Sequence, residues 1–181
     1  MFDNKLENTK LFDVKVITPF FKNDLRGEIT KVFSREVLTE YNINFIPVET
    51  LIIESKKNVL RGLHFQSVKP QTKLISCIRG KVWCVVVDIR KDSNTIGKWG
   101  YEILSEKNKK VLYIPEGFAL GTYALSEVEL LCINNEQFIA EYDSGIKWND
   151  PILNIQWPHK ENIIISEKDE RLQSFSEYQK L

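Results

Sequence analysis

Apolar and polar residues alternate with a period of two through most of this chain, the pattern of half-buried β-strands. Two short runs of this kind lie at residues 12–18 and 28–33, separated by the turn-rich Lys22-Asn23-Asp24-Leu25-Arg26-Gly27. Ser34 then precedes residues 35–41, where Val37, Leu38 and Tyr41 form one narrow stripe and Glu36 puts an acid in the first turn. A serine-capped short helix lying on a sheet is predicted there. From Phe45 the strand pattern resumes at residues 48–53, 59–66, 73–78 and 81–90, with Arg79-Gly80 read as a tight hairpin turn between the last two. Further strands are predicted at 100–104, 110–114, 122–125 and 128–133. Residues 82–88 are apolar on both faces, which suits a strand buried between two layers.

The strand signal fades after residues 145–151. Residues 163–166 read as a last strand or an extended segment, and from Glu167 onward Leu172, Phe175 and Tyr178 recur at helical spacing, predicting a terminal helix whose aromatic stripe serves packing. Evenly spaced short strands with Gly, Pro and Asn turns define a mainly all-β chain, an antiparallel sandwich or jelly-roll barrel with a short N-terminal and a C-terminal helix. No repeat or linker interrupts it. At 181 residues and 43% hydrophobic, residues 1–181 read as a single domain with a real core.

Charge and cysteine usage narrow the partners. Lys plus Arg (25) equals Asp plus Glu (25), so no broad field points to nucleic acid or a membrane surface. A local cluster of cations for a small anionic ligand stays open. Cys77, Cys84 and Cys132 form an odd set without a CxxC pair, which reads as buried, reduced thiols in a cytoplasmic protein. Residues 1–10 are polar with no apolar targeting core, and no run approaches the roughly 18 apolar residues of a membrane span.

The chemistry gathers on Arg61-Gly62-Leu63-His64-Phe65-Gln66. Strict alternation puts Leu63 and Phe65 on one face and His64 and Gln66 on the other, so the imidazole projects among polar neighbours. Lys73 follows closely, and a second positive charge biases a histidine toward its neutral, proton-accepting form. A lone histidine equally serves as a satisfied structural residue. With His159 the only other imidazole, a multi-histidine metal centre cannot be assembled, and acid–base chemistry without metal or cofactor is the expectation.

Taken together, residues 61–66, the run 71–90 with Val87-Asp88-Ile89-Arg90, the segment 114–121, residues 145–151 with Trp157-Pro158, and Ser166-Glu167-Lys168-Asp169 resemble the deoxysugar-nucleotide 3,5-epimerases typified by dTDP-4-dehydrorhamnose 3,5-epimerase. The segments recur in the family's order over roughly residues 12–170. The resemblance implies a cupin-type jelly roll, a homodimer, a nucleotide-sugar substrate and a metal-free mechanism. In it, His64 is the base that removes a proton beside a ketone, Asp169 orients that base, and Lys73 stabilises the enolate oxygen. Arg61, Arg26 and Gln66 belong to the substrate pocket, with phosphate contact the natural role of Arg61.

The departures from the family pattern carry equal weight. Leu120 stands where the family has a histidine, and Cys132 stands at the position of its tyrosine acid, in an apolar strand where a buried, inert thiol is expected. Loss of the tyrosine points to inversion mainly at C3, with Tyr123, Asn134 and Tyr142 as replacement donors besides water. Ile29, Lys31, Glu49 and Leu51 replace residues associated with the thymine pocket, which favours another base such as guanine and a GDP-4-keto-6-deoxy-heptose of capsule synthesis. The alternatives are a dTDP-4-keto-6-deoxyglucose 3,5-epimerase, a 3,4-ketoisomerase using the same enolate, and a catalytically silent sugar-nucleotide-binding cupin.

Overall fold

Where the sequence alternates, the backbone is extended. In the computed structural model, which describes residues 4–11, 13–159 and 161–180, the strands are β1 (Lys5–Asn8), β2 (Lys15–Thr18), β3 (Phe21–Asp24), β4 (Gly27–Thr30), β5 (Glu49–Ser55), β6 (Leu60–Gln66), β7 (Lys73–Arg79), β8 (Lys81–Asp88), β9 (Trp99–Ser105), β10 (Val111–Ile114), β11 (Phe118–Ala124), β12 (Val128–Asn134) and β13 (Asp143–Gly145). Phe12, the first residue expected in the run at 12–18, lies outside the described residues. One antiparallel sheet has the order β1-β2-β10-β7-β12-β5, the other β13-β6-β11-β8-β9, and β3 and β4 form a separate hairpin. Two facing antiparallel sheets are the jelly-roll barrel that the spacing predicts.

The two-faced strand β8 explains the layering. Val82, Cys84 and Val86 pack inside the barrel with Ile75, Leu112 and Leu130 of the opposite sheet. Trp83, Val85 and Val87 face outward into a second cluster with Leu63, Tyr123, Ile146, Trp157 and Phe175, roofed by the chain that follows β13. A third cluster, Ile17, Phe45, Leu74, Val111 and Ile133, lies outside the first sheet. The short helix α1 (Arg35–Glu40) covers it with Leu38. Ser34 sits at the cap position in extended backbone, but its side chain makes no capping bond.

Arg79-Gly80 is a corner rather than a hairpin turn. β7 pairs with β10 and β12, whereas β8 pairs with β9 and β11, so Gly80 carries the chain from one sheet to the other. Its φ is +81°, and a Cβ would lie 2.0 Å from the Glu127 carbonyl oxygen. Hydrophobic period fixes which face a residue shows and leaves its partner strand open.

The last segment straps the site from outside. Residues 163–166 are extended, held by one parallel bridge between Val59 and Ile164, with Leu60 N–H donating to the Ile164 carbonyl at 2.9 Å. Instead of one terminal helix there are two single turns, α2 (Glu167–Glu170) and α3 (Phe175–Tyr178). Between them Gln173 is drawn sideways, its carbonyl accepting from Lys147 N–H at 2.9 Å, and Ser174 starts α3 with a capping box to Glu177. Phe175 is buried and Tyr178 packs on Phe65 at 5.3 Å between ring centroids, so the aromatic stripe does serve packing.

Candidate active site

β6 and β7 lie in opposite sheets, and between them is a cavity of about 190 Å³ whose walls include Arg61, His64 and Thr122 on one side and Lys73, Cys132 and Asn134 on the other. A larger cavity of about 420 Å³, lined by Ile89, Arg90, Lys91 and Tyr178, shares Phe65, Gln66, Gln71 and Lys73 with it but does not include His64. The chemistry therefore belongs to the smaller one.

Arg61 and His64 are three residues apart, and strict alternation would send them to opposite faces. A β-bulge brings them together. His64 pairs with Leu120 and Arg61 with Thr122, so β6 advances three residues while β11 advances two. Gly62 occupies the extra step with φ +111°, and a Cβ there would lie 2.5 Å from the Leu120 carbonyl oxygen and 2.8 Å from Gly121 Cα. Gly62→Ala is expected to destabilise the fold by about 1–3 kcal/mol, measured as a lower midpoint in denaturant unfolding.

His64 Nε2 lies 2.8 Å from Asp169 Oδ1, and the second oxygen of that carboxylate accepts Gly62 N–H at 3.0 Å. α2 delivers Asp169, whose own N–H donates to the capping Ser166 Oγ at 3.1 Å. Burial alone would push the Asp169 carboxyl up, but the His64 ring, the Gly62 N–H and Ser166 outweigh it and hold the group below its ordinary value. A carboxylate at Nε2 fixes the ring proton there and leaves Nδ1 as the basic nitrogen.

Lys73 is partly buried, and its ammonium donates to Gln71 Oε1. Burial pushes its pKa below the ordinary lysine value, while Cys132, Glu49 and Asp143 pull the other way. Arg61 stays at the cavity, donating through Nε to Ser55 Oγ at 3.0 Å and through Nη2 to the Glu54 carbonyl at 3.1 Å.

Two expected substrate contacts are placed differently. Gln66 lines the cavity, but its amide N–H groups donate to the carbonyls of Lys69 and Gln137, and its oxygen accepts Ile139 N–H. It braces loops instead of offering a free amide. Arg26 lies on the exposed β3–β4 hairpin, paired with Asp24 at 2.6 Å, and lines neither cavity of this chain.

The departures occupy the site itself. Leu120 and Cys132 both line the cavity. Cys132 is buried as expected and is part of the site wall; its thiol donates to Asn134 Oδ1 at 3.2 Å, and Asn134 Nδ2 donates to Glu49 Oε2 at 3.1 Å. Burial pushes the Cys132 thiol up to about 11, with the Lys73 charge drawing it down in part. Tyr123 faces the outer cluster and its hydroxyl donates to Asn58 Oδ1 at 3.0 Å, so it is turned away from the cavity, and Tyr142 does not line it. Gln71 and Thr122 are wall residues beyond the expected set; the i, i+2 spacing of Gln71 to Lys73 and of Leu120 to Thr122 is the signal that marks them.

A double-sheet barrel with a carboxylate-held imidazole and an ammonium on one cavity defines a cupin-type protein whose site has the groups for acid–base chemistry. The profile of the family described as dTDP-4-dehydrorhamnose 3,5-epimerase matches residues 8–177. The chain belongs to this family of isomerases. It is 41% identical over 175 residues to the dTDP-4-dehydrorhamnose 3,5-epimerase of Methanothermobacter thermautotrophicus, covering 93% of each chain. The enzyme of the same name from Escherichia coli K12 is 40% identical over 174 residues, again covering 93% of each. In three dimensions the chain is similar to the dTDP-6-deoxy-D-glucose-3,5-epimerase of Legionella pneumophila, solved in complex with dTDP-4-keto-L-rhamnose. That similarity has a TM-score of 0.93 at 36% identity and covers 96% of this chain and 93% of the other. These relatives are named for dTDP sugars, and the expected GDP-heptose substrate and capsule pathway find no support among them.

Proposed function

We propose that the protein inverts a stereocentre beside the ketone of a dTDP-4-keto-6-deoxy sugar, with C3 as the main centre. The observation that carries this reading is the His64–Asp169 pair facing Lys73 across one cavity. The 4-keto group acidifies the neighbouring C–H bond. His64 Nδ1 takes the proton, the bond's electrons pass to the ketone oxygen, and the Lys73 ammonium neutralises the enolate oxygen that forms. Asp169 keeps the ring oriented and stabilises the imidazolium. Arg61, at the cavity edge, meets a diphosphate oxygen. Leu120 and Cys132, in place of the family's histidine and tyrosine, favour one inversion over two.

Phe21, Leu25 and Ile29 of the β3–β4 segment are exposed apolar residues, which supports the homodimer that the resemblance implies. Three free cysteines fit a cytoplasmic setting. Among the described residues no helix is long and apolar enough to cross a membrane.

The test is incubation with dTDP-4-keto-6-deoxyglucose in deuterium oxide, followed by location of the label. One deuterium at C3 with inversion is expected. Binding without any incorporation would make the protein a silent binding module and overturn the reading.

A further inference from the structure

Inversion needs a base on one face of the α-carbon and a proton donor on the other. His64 serves from the sheet that contains β6. On the opposite wall the polar side chains at the cavity are Gln71, Lys73, Cys132 and Asn134, among apolar ones such as Ile75 and Leu130. An amide does not surrender a proton near neutral pH. Lys73 is committed to the enolate oxygen. We infer that Cys132 is the proton donor on the face opposite His64, an inference that rests on the enolate chemistry proposed above.

The register supports it. Cys132 pairs with Ile75 and Asn134 with Lys73, so the thiol and the ammonium are diagonal neighbours on the cavity face of the β7–β12 ladder. A donor belongs beside the charge that holds the enolate. Glu49 fixes the Asn134 amide, and Asn134 Oδ1 holds the S–H group at 3.2 Å, so the resting group is a positioned thiol. Burial among Ile75, Leu130 and their neighbours keeps it protonated at neutral pH, with its pKa pushed up to about 11.

The step balances. The C3–H proton goes to His64 Nδ1, and the bond's electrons form the C3–C4 double bond and the enolate oxygen. The S–H proton of Cys132 then bonds C3 from the other side as the enolate returns to a ketone. Imidazolium and thiolate remain, and the Lys73 charge stabilises the thiolate. Proton transfer from imidazolium to thiolate through solvent resets the site after the product leaves.

Cys132→Ala and Cys132→Ser test this, with dTDP-4-keto-6-deoxyglucose in deuterium oxide and with label and configuration at C3 read separately. In both variants His64 still removes and returns a proton on its own face, so deuterium should enter with retention while the inverted product falls about 10²-fold. Serine keeps the side-chain volume near that of cysteine, so it carries the test if the alanine variant does not fold, and retained exchange itself reports an intact site. Inverted product at the wild-type rate in either variant would overturn the assignment and leave Lys73 or solvent as donor. Loss of exchange together with inversion in both would show a structural role and overturn it as well. Failure of the enolate reading is distinguishable, because the unsubstituted protein would then exchange nothing.

Discussion

His64→Asn is expected to reduce exchange of the C3 proton by about 10²–10⁴-fold while leaving sugar-nucleotide binding nearly unchanged. Asparagine keeps a polar side chain that reaches about as far as the ring's Nδ1, short of the Nε2 that meets Asp169 Oδ1, and its amide has no basic nitrogen. The loss should therefore fall on kcat, with KM close to that of the unsubstituted protein. Deuterium incorporation counted by mass spectrometry checks it. Exchange retained at more than a tenth of the original rate would remove His64 from the role of base.

Lys73→Met is the second large effect. Methionine fills much of the same volume without the charge, and loss of an oxyanion partner costs about 10²–10³-fold in kcat. The pH profile gives a separate signature. The ammonium is the active form, so activity falls as pH rises through the Lys73 pKa. Burial places that pKa below the ordinary lysine value, and the alkaline decline should begin correspondingly early. In Lys73→Met that limb should be absent from the residual rate. An unchanged alkaline limb would assign it to another group.

Of the three residues proposed for catalysis, two have placements that local pattern makes legible. Alternation gave His64 its cavity face, and β6 keeps that face. Lys73 opens a strand whose cavity-facing positions follow the same parity, so its placement opposite His64 needs only that β6 and β7 lie in facing sheets. Asp169 was different. More than a hundred residues separate it from His64, and nothing in its local pattern reveals the contact, so the family resemblance alone pointed to it. Arg26 and Gln66 show the reverse limit. Residue type and spacing mark both as polar, but only tertiary structure reveals that loop carbonyls consume one amide and that Asp24 pairs the other side chain on an exposed hairpin.

The same limit appears in the backbone. Arg79-Gly80 has hairpin composition, yet its strands leave in different sheets, since glycine permits the sharp turn in either case. The terminal helix breaks in two because backbone groups near Gln173 and Phe175 bond to Lys147 and Asp150 instead of to the preceding turn. The apolar strand around Cys132 marks it as buried, and only the resemblance, which sets it at the position of the family's acid, points to the cavity wall: a barrel interior and the floor of a pocket within it have the same hydrophobic pattern.

The bulge at Gly62 makes the length of β6 as informative as its composition. Counting along a strand is arithmetic modulo two, and one surplus residue converts an odd separation into an even one. Deleting a single residue there would leave Arg61 and His64 in the chain, yet it would turn either the guanidinium or the imidazole out of the cavity. Gly62 is thus the position at which Arg61 and His64 are brought into phase.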